Sequence, residues 1–152
     1  MTRDLAAFVR ARLDEDEHAA RAALGTPWIH REGVAGVHSD ATDDYPHGVP
    51  IADCRRIPAE YECRVAVAEH IVRHQPACVL AEVEAKRRLV DLHQGEGEFP
   101  ECAVCAQPEF FAEDADGNRE WFRWSEPTPC LTLRLLALPY ADHPDYREEW
   151  RP

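Results

Sequence analysis

The chain has 152 residues, 45% of them hydrophobic, with 29 acidic against 17 basic side chains and a formal net charge of −12. This composition excludes a disordered chain, and no apolar run approaches the roughly 20 residues of a membrane-spanning helix. The acidity opposes the phosphate neutralisation with which nucleic-acid binding begins; it is expected to serve solubility or to meet a basic protein partner.

Leu5, Phe8, Val9 and Leu13 follow the i, i+3, i+4, i+8 spacing, which predicts an amphipathic helix over 3–24, stopped by Gly25 and Pro27. Its start carries Arg3, Asp4 and Arg10 and lacks the unbroken apolar stretch of an export signal, so a cytoplasmic protein with reduced cysteines is expected. Residues 28–38 read as strand-like with a turn at Glu32-Gly33. Residues 39–50, with Asp43, Asp44, Pro46, Gly48 and Pro50, read as a loop. A second helix is expected over 60–74, with Tyr61, Val65, Ala68, Ile71 and Val72 along its buried stripe. Pro76 suits a first helical position and opens a third helix to about Leu92. Val79, Leu80, Val83 and Val90 form its buried side, and Glu82 with Lys86 and Glu84 with Arg88 supply i, i+4 pairs on its wet side.

Further on, Phe110–Ala112 and Trp121–Trp124 flank Asp116-Gly117, which predicts a β-hairpin. Asp114, Asp116 and Asn118 resemble a calcium loop only faintly, because the glycine is misplaced and the distal glutamate is missing. Thr128-Pro129 is expected to cap a fourth helix, Cys130 to Leu138, whose leucines on all sides assign it to the core. Tyr146 and Trp150, four residues apart, are expected to pack the last turn onto the body of the protein. Together these elements read as one α+β domain, residues 1–152, mainly helical with two small β elements.

The chemistry concentrates at His93, Cys102-x2-Cys105 and Cys130. A Cys-x2-Cys pair grips one ion with two thiolates, and the other two residues complete a Cys3His tetrahedron. Cys130, in the first turn of its helix, gains from the positive helix end that favours a thiolate. Four protein ligands leave no place for a reactive water, so a structural zinc knuckle over 93–130 is expected. The alternative is three ordinary reduced cysteines beside a helix-terminal histidine. Residues 93–130 hold two basic and nine acidic residues, a net charge of −7, which makes a poor reader of DNA.

His70-x3-His74 places two imidazoles on one helical face beside Glu69. These can bind metal or carry protons, with Asp53 or His143 brought near by folding, or they can simply hydrogen-bond between packed elements. The general base of an HExxH motif is missing, since Ile71-Val72-Arg73 fills the gap. Cys54, Cys63 and Cys78 are isolated and read as small buried hydrophobes. No phosphate loop or nucleophile elbow occurs.

Residues 69–93, from Glu-His-Ile-Val-Arg-His to Arg-Leu-Val-Asp-Leu-His, resemble the signature of a small actinobacterial and actinophage family catalogued as a domain of unknown function. So do residues 129–152, from Pro-Cys-Leu-Thr-Leu-Arg to Tyr-Arg-Glu-Glu-Trp-Arg-Pro, and the N-terminal Leu-x2-Phe-x-x-Ala-Arg-Leu-Asp-Glu-Asp helix. The resemblance implies an actinobacterial or phage cytosolic protein of this architecture and implies no activity. It also implies cysteines at the positions of Cys102, Cys105 and Cys130. Gln75 stands where the resemblance implies an aspartate before Pro76. The expected function is a cytosolic, zinc-binding, non-enzymatic interaction or accessory protein. A metal-dependent enzyme using His70 and His74 is the alternative, and a nucleic-acid-binding zinc protein ranks third.

Overall fold

A computed structural model describes residues 2–31, 35–95, 101–106, 110–113, 115–122, 126 and 128–152. The described chain is α+β, with four α-helices and two small antiparallel sheets. Its contacts fall into two compact units, residues 16–83 and residues 1–15 with 84–152. Helix α1, Thr2–Ala22, and helix α3, Pro76–His93, each contribute to both.

In the 16–83 unit, β1 (Trp28–His30), β2 (Gly36–Ser39) and β3 (Pro50–Asp53) form a sheet in that order. Trp28 pairs with Ser39 and His30 with Val37; across β2 and β3, Gly36 pairs with Asp53, with an irregularity between Val37 and His38. The expected turn at Glu32-Gly33 lies outside the described residues. Strand β3 begins at the end of the stretch read as a loop. Its Pro50 masks the strand signal, since proline donates nothing to a ladder and is tolerated at an edge such as this one. Asp53 caps the 3-10 turn Cys54–Arg56 by accepting the Arg55 N–H at 3.1 Å.

Helix α2, Tyr61–Arg73, covers the sheet. Val37, Cys54 and Ala68 are buried at the centre, ringed by Trp28, Ala52, Ile57, Val67, Ile71 and Val72. Tyr61, expected in the stripe, is instead exposed, at the first residue of the helix and two turns before the buried Ala68. Cys63 and Cys78 are also exposed, and only Cys54 of the three isolated cysteines is buried. Cys63 precedes Ala68 by five residues, which turns it off the apolar face of α2.

In the other unit, Leu5, Phe8, Val9 and Leu13 of α1 are buried as their spacing requires, and so is Val90 of α3. Arg10 reaches Asp91 and Gln94, both at 2.7 Å, and Arg87 reaches Asp14 at 2.5 Å. The hairpin pairs β4 (Phe110–Glu113) with β5 (Arg119–Phe122) in register from Phe110 opposite Phe122 to Glu113 opposite Arg119. Gly117 turns it at φ +81°, a left-handed conformation that glycine adopts freely. Trp124 lies outside the described residues.

Helix α4, Leu131–Ala137, continues into a 3-10 turn, Leu138–Tyr140, around Pro139. It is not wholly in the core. Leu133 and Ala137 are buried, while Leu131, Leu135 and Leu138 are exposed. The chain then turns through His143–Arg147 into a last 3-10 turn, Glu148–Trp150. Phe8 sits inside a set of aromatic rings, with centroids 6.5 Å from Tyr140, 5.7 Å from His143, 6.0 Å from Tyr146 and 5.1 Å from Trp150. Arg12 stacks over Phe8 and bonds to the His143 ring. Trp150 is buried, so the C-terminal residues are part of the packing.

Candidate metal centre

Three separate pieces of chain supply the four expected donors. His93 is the last residue of α3. Cys102 and Cys105 frame a tight turn in which the Ala106 N–H donates to the Cys102 carbonyl at 2.9 Å. Cys130 is the N-cap of α4. Their donor atoms all lie within 4.8 Å of one another. His93, Cys102 and Cys130 are buried, and Cys105 is half-buried.

The histidine nitrogen is the informative atom of this cluster. Nδ1 of His93 lies 3.3 Å from the sulfurs of Cys102 and Cys105 and 3.6 Å from that of Cys130. A ring nitrogen carries one proton or one lone pair and cannot hydrogen-bond three sulfurs at once. A tetrahedral ion with metal–sulfur bonds of about 2.3 Å and a metal–nitrogen bond of about 2.0 Å sets nitrogen and sulfur about 3.5 Å apart. The donor set and its spacing are therefore compatible with one metal ion among His93 Nδ1 and the three cysteine sulfurs. No cysteine is in a disulfide.

Electrostatics agree with the geometry. Burial pushes the Cys130 thiol up to about 12, against a lowering contribution from the Leu133 N–H, and burial also pushes Cys105 up. Three thiolates crowded together out of water repel one another, and a dication is the counter-charge that removes the penalty.

The support around the donors was not evident from the sequence. Thr132 Oγ1 lies 3.6 Å from the Cys105 sulfur. Glu126 braces the cysteine turn against α4: its carbonyl accepts the Cys102 N–H at 2.9 Å, and its side chain accepts the Leu131 N–H at 2.8 Å. The helix cap expected from Thr128-Pro129 is thus supplied by a carboxylate, because Cys130 occupies the cap position and makes no side-chain cap bond. An acidic residue four positions ahead of a helix-starting cysteine is the signal that could have revealed it.

The other candidate residues are placed as follows. The His70 and His74 rings lie side by side, with centroids 4.5 Å apart, and both are exposed, as is Glu69. Among the described residues no third histidine, cysteine or carboxylate joins them in a ligand cluster. Asp53 is taken up by Arg55, whose hydrogen bonds hold its carboxyl down to about 2. His143 bonds Arg12 in the ring cluster around Phe8.

A model of the family of unknown function DUF6221 matches residues 2–152. The chain belongs to this family. No curated protein and no solved structure matches it. The DUF6221 match thus covers both units and all four donors of the cluster. Among the described residues no helix is long and apolar enough to cross a membrane.

Proposed function

We propose that the cluster is a structural zinc site and that the protein is a non-enzymatic interaction or accessory protein of the actinobacterial or phage cytosol. The observation that carries the zinc reading is the single His93 nitrogen set among three sulfurs at 3.3–3.6 Å. Zinc suits a soft Cys3His set, has no redox chemistry, and is stable where four protein donors close its coordination. A reducing compartment keeps the thiols available to it. When bound, the ion supplies a cross-link and neutralises thiolate charge. The protein's own residues then do the structural part: Glu126 holds the cysteine turn to α4, and His93 anchors the end of α3. The acidic surface supports a basic partner over a nucleic acid.

Mass spectrometry under non-denaturing conditions is expected to find one zinc per chain. Cys102→Ser and Cys105→Ser are each expected to remove it and lower the melting temperature. Metal-free protein that melts like the loaded form would overturn the reading.

A further inference from the structure

The end of α2 carries two imidazoles that the Cys/His cluster does not use. His70 lies in the last turn of the helix and His74 is its C-cap. The His74 N–H donates to the His70 carbonyl at 3.1 Å, so a helical hydrogen bond fixes their spacing. Residues four apart share one helical face, and here the two ring centroids are 4.5 Å apart with the planes tilted by 51°. Both side chains are exposed. Among the described residues no hydrogen bond or ion pair occupies either ring. The charges nearby do not oppose a cation. Glu69 and Arg73, each one residue ahead of a histidine, offset one another, and the C-terminal end of a helix is itself partially negative. His74 also lines a shallow cleft of about 220 Å³ whose lining includes Asp16 and Trp28 but no lysine or arginine.

We propose that His70 and His74 form an open metal site, a two-imidazole chelate for a divalent transition ion such as nickel, copper or zinc. Ligand chemistry selects the class. Neutral imidazole suits these ions, whereas calcium and magnesium require a shell of oxygen donors that two histidines do not supply. Geometry agrees. Two imidazoles on one ion, with metal–nitrogen bonds of about 2.0–2.1 Å, hold their donor nitrogens roughly 3 Å apart. Rings whose centroids are 4.5 Å apart reach that spacing by small side-chain rotations. Once one ring has bound, the other is already at hand, so the pair holds an ion far better than a lone histidine. Two protein donors leave coordination positions to water, in contrast to the closed set of four at the Cys/His cluster. The proposal does not rest on the zinc reading above, because the two sets share no residue and belong to different units.

The test titrates the full chain with Ni²⁺ in a calorimeter and reads its zinc content in parallel. Nickel is chosen because it suits imidazole and does not oxidise the exposed Cys63 and Cys78 thiols. One nickel per chain is expected to bind with the zinc content unchanged, and to raise the melting temperature. His70→Gln and His74→Gln are each expected to weaken binding about a hundredfold, through loss of the chelate. Both variants are expected to keep the wild-type circular dichroism, since the rings are exposed. His47→Gln, at an exposed histidine of the 40–49 loop, and Cys78→Ser are expected to leave binding unchanged. A chain that ignores nickel overturns the site, as does a His70→Gln/His74→Gln double variant that binds like wild type. Loss of nickel in Cys78→Ser overturns the two-imidazole assignment. A zinc-free chain that binds nickel through the histidine pair sinks the zinc reading alone.

Discussion

The thiols of the metal centre make a pH prediction with a definite sign. In the metal-free fold, burial raises Cys130 from 9.0 to about 12 and raises Cys105 as well. Their stabilising protonation is complete below the unfolded value and is lost as the pH climbs toward the folded one. Chelated protein is therefore expected to lose stability between about pH 9 and 12, whereas the zinc-loaded form, whose thiols are already deprotonated, is not. Thermal melts of both forms across that window check this. Zinc affinity is expected to run the other way and fall on acidification, because binding must expel the thiol protons.

Two glycines give a paired test at the same scale. Gly48 has φ +69°, and a Cβ there would collide with the Ser39 backbone carbonyl oxygen. Gly117 has φ +81° and meets only the end of the Glu113 side chain, at 3.8 Å. Gly117→Ala is expected to cost about 1 kcal/mol of left-handed strain, and Gly48→Ala clearly more, since backbone must also move. Urea unfolding of the two variants measures the difference.

Among the elements, the rings around Phe8 bind the two ends of the chain together. Phe8→Ala is expected to cost about 3–5 kcal/mol, and deletion of residues 143–152 a similar several kcal/mol, because Trp150 is lost from the same set. A truncated chain that melts like the full one would show the tail to be dispensable. These elements also show what a sequence reveals. The stripe of α1 was readable because helical period and burial coincide at Leu5, Phe8, Val9 and Leu13. Asp116-Gly117 announced the hairpin because the turn demands a left-handed residue. Strand β3 was hidden by Pro50, and the half-exposed state of α4 by leucines that look equally apolar on every side. The four residues of the cluster were legible from type and spacing, and Glu126 only through its place four residues ahead of Cys130, while Thr132 was not, since bracing depends on how folding brings unrelated segments together.

Across the whole molecule, the four residues of the candidate metal site belong to one unit alone, residues 1–15 with 84–152. The other is held by its own core around Val37, Cys54 and Ala68. Chelation is therefore expected to act unevenly. Hydrogen exchange should quicken in the cysteine turn, the hairpin and α4, while β2 and α2 keep their protection. Uniform loss of protection would mean that the ion supports both units.

The spread of the donors along the chain has a consequence for chain entropy. His93 and Cys130 are 37 residues apart, and the hairpin lies inside the loop they close. An ion that joins such distant points acts as a removable staple, whose benefit comes from the conformations it denies to the unfolded chain. The cost of closing the loop grows only logarithmically, by about 0.6 kcal/mol for each doubling of length. The hairpin tip at Asp116-Gly117 should therefore accept inserted residues with little loss of stability, provided the ion is present to hold the loop's base closed.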